Sequence, residues 1–129
     1  IANLPQEGDI LPDTYLYQAG QSRQDLVDEM AAAQKKFVEA AWEKRVQNLP
    51  LKNIAEAIIL ASIVEKETSK PDEYKKVAAV FINRLRIGMR LQSDPTVIYG
   101  MNLGRHEDDG MGPIGRRLLR KDLEVLTPY

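Results

Sequence analysis

"AIILASIVEKET", residues 57–68, is the stretch on which the fold turns. An unbroken apolar run from Ala57 to Val64 stops abruptly at Glu65, Lys66, Glu67 and Thr68. Its length and alanine content favour a helix, although its β-branched residues also suit a strand. Asn53 stands where an N-cap belongs, with a side-chain oxygen able to accept a first-turn N–H. A helix that is apolar all round has no face to offer water, so it is a central one with other elements packed about it. The chain is therefore expected to build around a buried helix that runs toward two carboxylates.

The flanking sequence supplies elements to surround it. Upstream, Ser22 and Asp25 have capping-box spacing. Leu26, Met30, Ala33, Phe37 and Ala41 then recur every three or four residues as the apolar stripe of a long helix, with Gln34, Lys35, Glu39 and Glu43 outward. Asn48 and Pro50 end it, and Trp42 lies off the stripe against a neighbour. Residues 1–20 carry Pro5, Gly8, Pro12 and Gly20 and read as loop with one short extended piece, Thr14 to Tyr17. Downstream, Pro71-Asp72-Glu73 opens a third helix, with proline early and acids where the dipole is positive. Val77, Val80, Phe81 and Leu85 form its buried face, and Gly88 suits a left-handed cap. Met89 to Gln92 reads as a short strand. Asp94 as N-cap and Pro95 as first residue start a short helix that ends at Gly100. Met101 to Gly115 is loop, and Arg120 to Leu126 makes a last helical turn. The fold class is mainly α with a few short β-strands (α+β), in a single domain over residues 1–129.

Bulk properties narrow the function. Of 129 residues, 43% are hydrophobic and 29% charged, which suits one packed domain and not a disordered chain. The net charge of -1, from 18 basic and 19 acidic residues, argues against nucleic acid as the main partner, because phosphate binding needs a basic surplus. The basic cluster from Arg116 to Lys121 reads as a solvated face. Absence of cysteine excludes disulfides, Cys–His zinc sites and thiol nucleophiles. No apolar run approaches the ~18 residues of a membrane span, and no signal peptide is visible. The chain starts without Met and stops at Thr127-Pro128-Tyr129, as a piece of a longer protein would.

At the end of the apolar run, Glu65 and Glu67 differ by about 200° around a helix axis. They point to nearly opposite sides and cannot flank one bond as an ordinary glycosidase pair does. Both lie at the negative end of the helix dipole with apolar residues one turn back, which disfavours an ionised carboxylate. A carboxyl group kept protonated near neutral pH is suited to general-acid chemistry. Glu67, with Leu60, Ile63 and Val64 behind it, has the bulkier apolar surroundings. The competing reading is a solvated helix end neutralised by Lys66 or Lys70. Other constellations are weaker. His106-Glu107-Asp108-Asp109 is one histidine beside acids in a glycine-rich loop, Ser62 lacks a nucleophile elbow, and Gly110 to Gly115 lacks the lysine of a phosphate loop. No metal or cofactor is expected.

Taken in order, "LPDTYLY" (11–17), "ILASIVEKET" (59–68), "KVAAVFINRLRIGMRLQSDPTVIYG" (76–100) and "DLEVLTPY" (122–129) resemble the YceG-like endolytic murein transglycosylases over nearly the whole chain. The resemblance implies a lysozyme-like helical catalytic domain around a buried central helix. It implies an enzyme cutting the MurNAc–GlcNAc bond of nascent peptidoglycan strands to leave 1,6-anhydroMurNAc ends. It places the domain on the periplasmic side of the inner membrane, tethered by a single N-terminal transmembrane helix and preceded by a LysM-like domain, neither of them in this chain. Family sequences also continue beyond Tyr129. Cell-wall synthesis proteins are the candidate protein partners. The family's catalytic acid is the second Glu of "EKET", here Glu67. From the same matching block Glu65, Asn83, Gln92, Asp94, Thr96 and Tyr99 are expected along the sugar groove. The alternatives are a muramidase-type hydrolase, with Asp94 or another carboxylate activating water, and a non-catalytic helical module that binds glycan or a protein partner.

Overall fold

The capping box predicted at Ser22 is present and starts the first helix, α1, Arg23–Glu43. The Asp25 N–H donates to Ser22 Oγ at 3.0 Å, and the Ser22 N–H donates to Asp25 Oδ2 at 3.0 Å. The computed structural model describes residues 1–102 and 118–124. Within them α1 is followed by α2 (Ile54–Glu67), a 3₁₀ turn (Pro71–Glu73), α3 (Tyr74–Arg86), α4 (Asp94–Asn102) and a second 3₁₀ turn (Arg120–Glu124). The chain divides into two compact units, Ile1–Ile58 and Ile59–Tyr129. Helix α4 runs two residues past its expected end at Gly100, so Met101 and Asn102, expected in a loop, are helical; the rest of that loop, the His106 to Asp109 cluster, the glycine-rich stretch to Gly115 and most of the last motif lie outside the described residues.

In the first unit the N-terminal segment lies along α1 through polar side chains. Gln24 Oε1 accepts the N–H groups of Ala2 and Asn3 at 3.0 and 3.1 Å, and Gln34 Nε2 donates to the Gly8 carbonyl at 2.7 Å. Gln34 was expected outward; it faces the segment instead, because a loop carbonyl with no ladder partner needs a donor. The helix face beside this segment carries Val27, Ala31 and Val38, which with Leu4, Pro5 and Ile58 line a groove of about 440 Å³. The predicted stripe is correct in its first half only, since Phe37 is 60% exposed and Ala41 is exposed. Gly8 has φ +86, and a Cβ there would stand 2.9 Å from Ile58 Cγ2. The Tyr15 hydroxyl donates to the Leu11 carbonyl at 2.8 Å. Desolvation, then the charges of Asp13 and Glu29, push its phenol above the ordinary value. At the other end of α1 the Arg45 guanidinium stacks 4.1 Å over Trp42, the neighbour that the tryptophan's off-stripe position called for.

Helix α2 begins where Asn53 predicts, with Asn53 Oδ1 accepting the Glu56 N–H at 3.0 Å. Leu60, Ile63 and Val64 are buried, while Ile59 is 60% exposed and Ala61 and Ser62 are exposed. The helix thus buries one stripe rather than its whole circumference. In α3 Phe81 is buried and Val77 and Leu85 are half-buried; Val80 faces out at 49% exposure. Gly88 takes the predicted left-handed conformation, φ 67. Helix α4 starts at Asp94, one residue earlier than predicted, so the preceding residue, Ser93, occupies the cap position.

Among the described residues there is no β-strand, and both expected strands are corrected. Around Thr14 to Tyr17 the Tyr15 ring turns back onto Leu11, while Leu16 and Tyr17 are exposed and pair with no edge. From Met89 to Gln92 the polar backbone groups are taken up locally. The Met89 N–H donates to the Arg84 carbonyl at 2.8 Å, the Leu91 carbonyl accepts from the Arg84 guanidinium, and Gln92 leaves the extended region at φ 53. No described helix is long and apolar enough to cross a membrane.

Candidate active site

Glu67 is the last residue of α2, so its backbone is fixed by the helix while its side chain stands at the helix end. The turn that follows is closed by Thr68, whose N–H reaches the Val64 carbonyl at 3.4 Å. Thr68 Oγ1 donates to Glu73 Oε2 at 2.8 Å and accepts the Lys70 N–H at 3.1 Å, and Lys70 Nζ pairs with Glu73 Oε1 at 3.6 Å. Lys70 is thereby engaged with Glu73. Of the two neutralising partners considered for Glu67, Lys70 is thus paired elsewhere.

The partner Glu67 does have is Ser93. Ser93 is 1% exposed, and its hydroxyl donates to Glu67 Oε1 at 2.5 Å. Among the described residues Glu67 Oε2 carries no hydrogen bond. Ser93 itself is held on both sides. Its carbonyl accepts the Thr96 N–H at 3.1 Å and the Thr96 hydroxyl at 2.6 Å. Before it, Gln92 sits at φ 53, and the Leu91 carbonyl is bound by Arg84 of α3. A non-glycine residue in the left-handed region is costly, and such conformations persist where surrounding bonds over-determine them.

The expected withdrawal of Glu67 from water is not found: the residue is exposed at the end of α2. The apolar residues one turn back, Leu60, Ile63 and Val64, are themselves buried, but their burial stops short of the carboxyl group. Glu65 is also exposed, and helix geometry puts it nearly opposite Glu67. Gln92 and Asp94 are exposed on either side of Ser93. Thr96 is half-buried with its hydroxyl turned to Ser93, and Tyr99 is half-buried on the same helix. Asn83 is exposed on α3, where its Oδ1 accepts weakly from Arg86 at 3.4 Å. The structure thus brings the Gln92–Thr96 segment to Glu67, and no described hydrogen bond links Glu65 or Asn83 to it. Ser93, which makes the link, was missed in the sequence. The available signal was its place between Gln92 and Asp94 at the head of a helix, where a serine side chain is expected to be engaged.

A profile of the YceG-like family matches residues 1–129. A relative from Bacillus subtilis (strain 168), named endolytic murein transglycosylase, is 33% identical over 126 residues, covering 97% of this chain and 32% of its own. One of the same name from Streptococcus pneumoniae serotype 2 (strain D39) is 35% identical over 108 residues, covering 79% of this chain and 19% of its own. The chain therefore spans about a third or less of the length of these curated relatives.

Proposed function

The chain belongs to the YceG-like family, and from that premise we propose that it carries the catalytic carboxyl group of an endolytic murein transglycosylase, Glu67. The observation that carries the proposal is a carboxyl group at the exposed end of a helix, one oxygen held by a buried hydroxyl and the other open to a substrate. A polymer reaches such a group from outside, and the helix and Ser93 together fix where it points. The helical architecture of the described residues fits a lysozyme-like catalytic domain.

The reaction needs one carboxyl group in two roles. Glu67 gives its proton to the glycosidic oxygen as the bond from that oxygen to the MurNAc anomeric carbon breaks. The MurNAc C6 hydroxyl oxygen then bonds to the same carbon, and its proton passes to the Glu67 carboxylate. The product ends in a 1,6-anhydro ring, no water is consumed, and Glu67 is again protonated. Because the nucleophile belongs to the substrate, it has the advantage of a held reactant, and a second carboxylate opposite Glu67 is not required. This fits the nearly opposite directions of Glu65 and Glu67. Gln92 and Asp94 are exposed beside Ser93 and are the first candidates to bind sugar; Glu65, Asn83, Thr96 and Tyr99 are proposed further along the groove. On this reading the activity lies outside the cytoplasmic membrane, and a single-pass anchor in the longer protein and cell-wall synthesis partners are proposed with it.

Product analysis tests the proposal. The intact natural protein and its Glu67→Gln variant are incubated with uncrosslinked glycan strands and the released ends are weighed by mass spectrometry. Anhydro-ended products are expected from the first, with a loss of roughly 10²-fold or more in the second, the scale of general acid–base catalysis. Undiminished release by Glu67→Gln refutes the assignment. Products heavier by one water identify a hydrolase instead, and binding without turnover identifies a glycan-binding module.

A further inference from the structure

We propose that Ser93 is a positioning residue that assigns the travelling proton to one oxygen of Glu67, Oε2. The inference rests on the reading of Glu67 as the acid and base, and adds to it how one side chain performs both steps without turning. A carboxyl group has two equivalent oxygens and rotates about its last bond. In a reaction where the same group first gives and then takes a proton, either motion delivers the proton to the wrong place. Ser93 removes the equivalence. Its hydroxyl donates to Oε1 at 2.5 Å, and the donor is 1% exposed, so water does not compete for that bond. An oxygen that accepts the Ser93 hydroxyl is the carbonyl-type oxygen of the protonated carboxyl group, which favours the proton on the other oxygen. Both the proton given to the glycosidic oxygen and the proton taken from the C6 hydroxyl therefore belong to Oε2. Ser93 touches neither substrate bond; it acts through Glu67.

The chain around Ser93 is built as a clamp. Thr96 holds the Ser93 carbonyl with both its N–H and its hydroxyl, at 3.1 and 2.6 Å. Arg84 holds the Leu91 carbonyl, and between these anchors Gln92 is kept at φ 53. The Thr96 N–H bond is the one any N-cap carbonyl makes, and the Thr96 hydroxyl and the Arg84 anchor add to it. A donor aimed at one carboxylate oxygen benefits from such anchoring, because small misplacements of reacting groups are expensive in rate. The carbonyl bonds and the left-handed residue fix the backbone, and burial fixes the rotamer.

The test compares Ser93→Ala and Ser93→Cys with the wild type and with Glu67→Gln, in the intact natural protein, by steady-state release of anhydro-ended products. Protection of the Thr96 amide from exchange reports that the segment is folded. Ser93→Ala is expected to lower kcat about 10-fold or more with KM changed less than about 2-fold, since a positioning contact is felt in turnover and not in glycan binding. Ser93→Cys, close to serine in size and a weaker donor, is expected to fall between wild type and Ser93→Ala, and it carries the test if the alanine variant fails to fold. Wild-type kcat in either folded variant, or a loss confined to KM, overturns the assignment. If Glu67→Gln is inactive while the Ser93 variants are normal, only the positioning role fails. If Glu67→Gln retains turnover, the parent reading fails with it.

Discussion

Arg84 is expected to be worth more to the folded protein when the residue it restrains is glycine than when it is glutamine. The Arg84 guanidinium donates to the Leu91 carbonyl, and the next residue, Gln92, stands at φ 53. A hydrogen bond with a charged donor contributes about 1.5–3 kcal/mol. A non-glycine residue in the left-handed region costs roughly 1–2 kcal/mol. Replacing Arg84 by Met keeps the apolar stem and removes the donor, so Gln92 is released to relax. The variant then loses the bond but recovers the strain, a net cost of about 1 kcal/mol from the central values. In the Gln92→Gly background there is no strain to recover, and the same replacement costs about 2 kcal/mol. The assay is native-state hydrogen exchange of the Thr96 amide, whose bond to Ser93 lies just beyond the restrained residue. It measures the opening free energy of this segment directly. Equal costs in the two backgrounds, within the ~0.5 kcal/mol of ordinary additivity, would show that Arg84 does not hold Gln92 in its unfavourable conformation.

Two further outcomes test the first unit. Gly8→Ala and Gly20→Ala both place a side chain at positive φ, but only at Gly8 does the new Cβ meet another atom, Ile58 Cγ2 at 2.9 Å. Gly8→Ala is expected to destabilise residues 1–12 by about 1 kcal/mol more than Gly20→Ala destabilises its own turn, read by amide exchange, and equal costs would remove the contact from the account. Acid should loosen the start of α1. The Ser22 hydroxyl, followed by the Ser22 N–H, holds the Asp25 carboxylate below its ordinary value. A carboxylate depressed in the folded state stabilises fully above the unfolded value, about 3.9, and that stabilisation is lost as pH falls through the folded value. First-turn amides of α1 should exchange faster below about pH 4 relative to mid-helix amides, and Asp25→Asn should lack the response. An identical acid response in Asp25→Asn would place its source elsewhere.

What could be read from the sequence was what local chemistry decides. Ser22 and Asp25 exchange bonds across three residues, Asn53 accepts from Glu56, and Gly88 ends α3 at φ 67, so each signal and its cause lie within one turn. Gln34 was misread because polarity alone suggests solvent, whereas its partner is a carbonyl 26 residues away. The strand expected at Met89 to Gln92 failed for a related reason. Alternation says that a segment can be extended, but a strand exists only if a neighbour offers an edge, and here Arg84 takes the Leu91 carbonyl first. Ser93 was missed between two residues that were chosen. Gln92 and Asp94 were chosen from the family-matching block, while the small hydroxyl between them bonds to Glu67, 26 residues earlier.

The exposure of Glu67 changes what must complete its surroundings. Burial was expected to keep the carboxyl group from ionising, and the folded chain does not bury it. On the proposed mechanism the missing desolvation is supplied by the substrate. A glycan strand lying over the end of α2 displaces water from the Oε2 side, while the Oε1 side is already closed by Ser93. Electrostatic interactions strengthen as water leaves. The carboxyl group is held in geometry by the fold, and its surroundings are completed by binding. It follows that short glycan fragments, which cover less of the surface around Glu67, should lose turnover and not merely affinity, because binding energy from remote sugars is what completes the environment of the reacting bond. Comparing kcat across strands of increasing length decides it. A kcat independent of length, with only KM falling, would show that the protein alone completes the environment of the reacting bond.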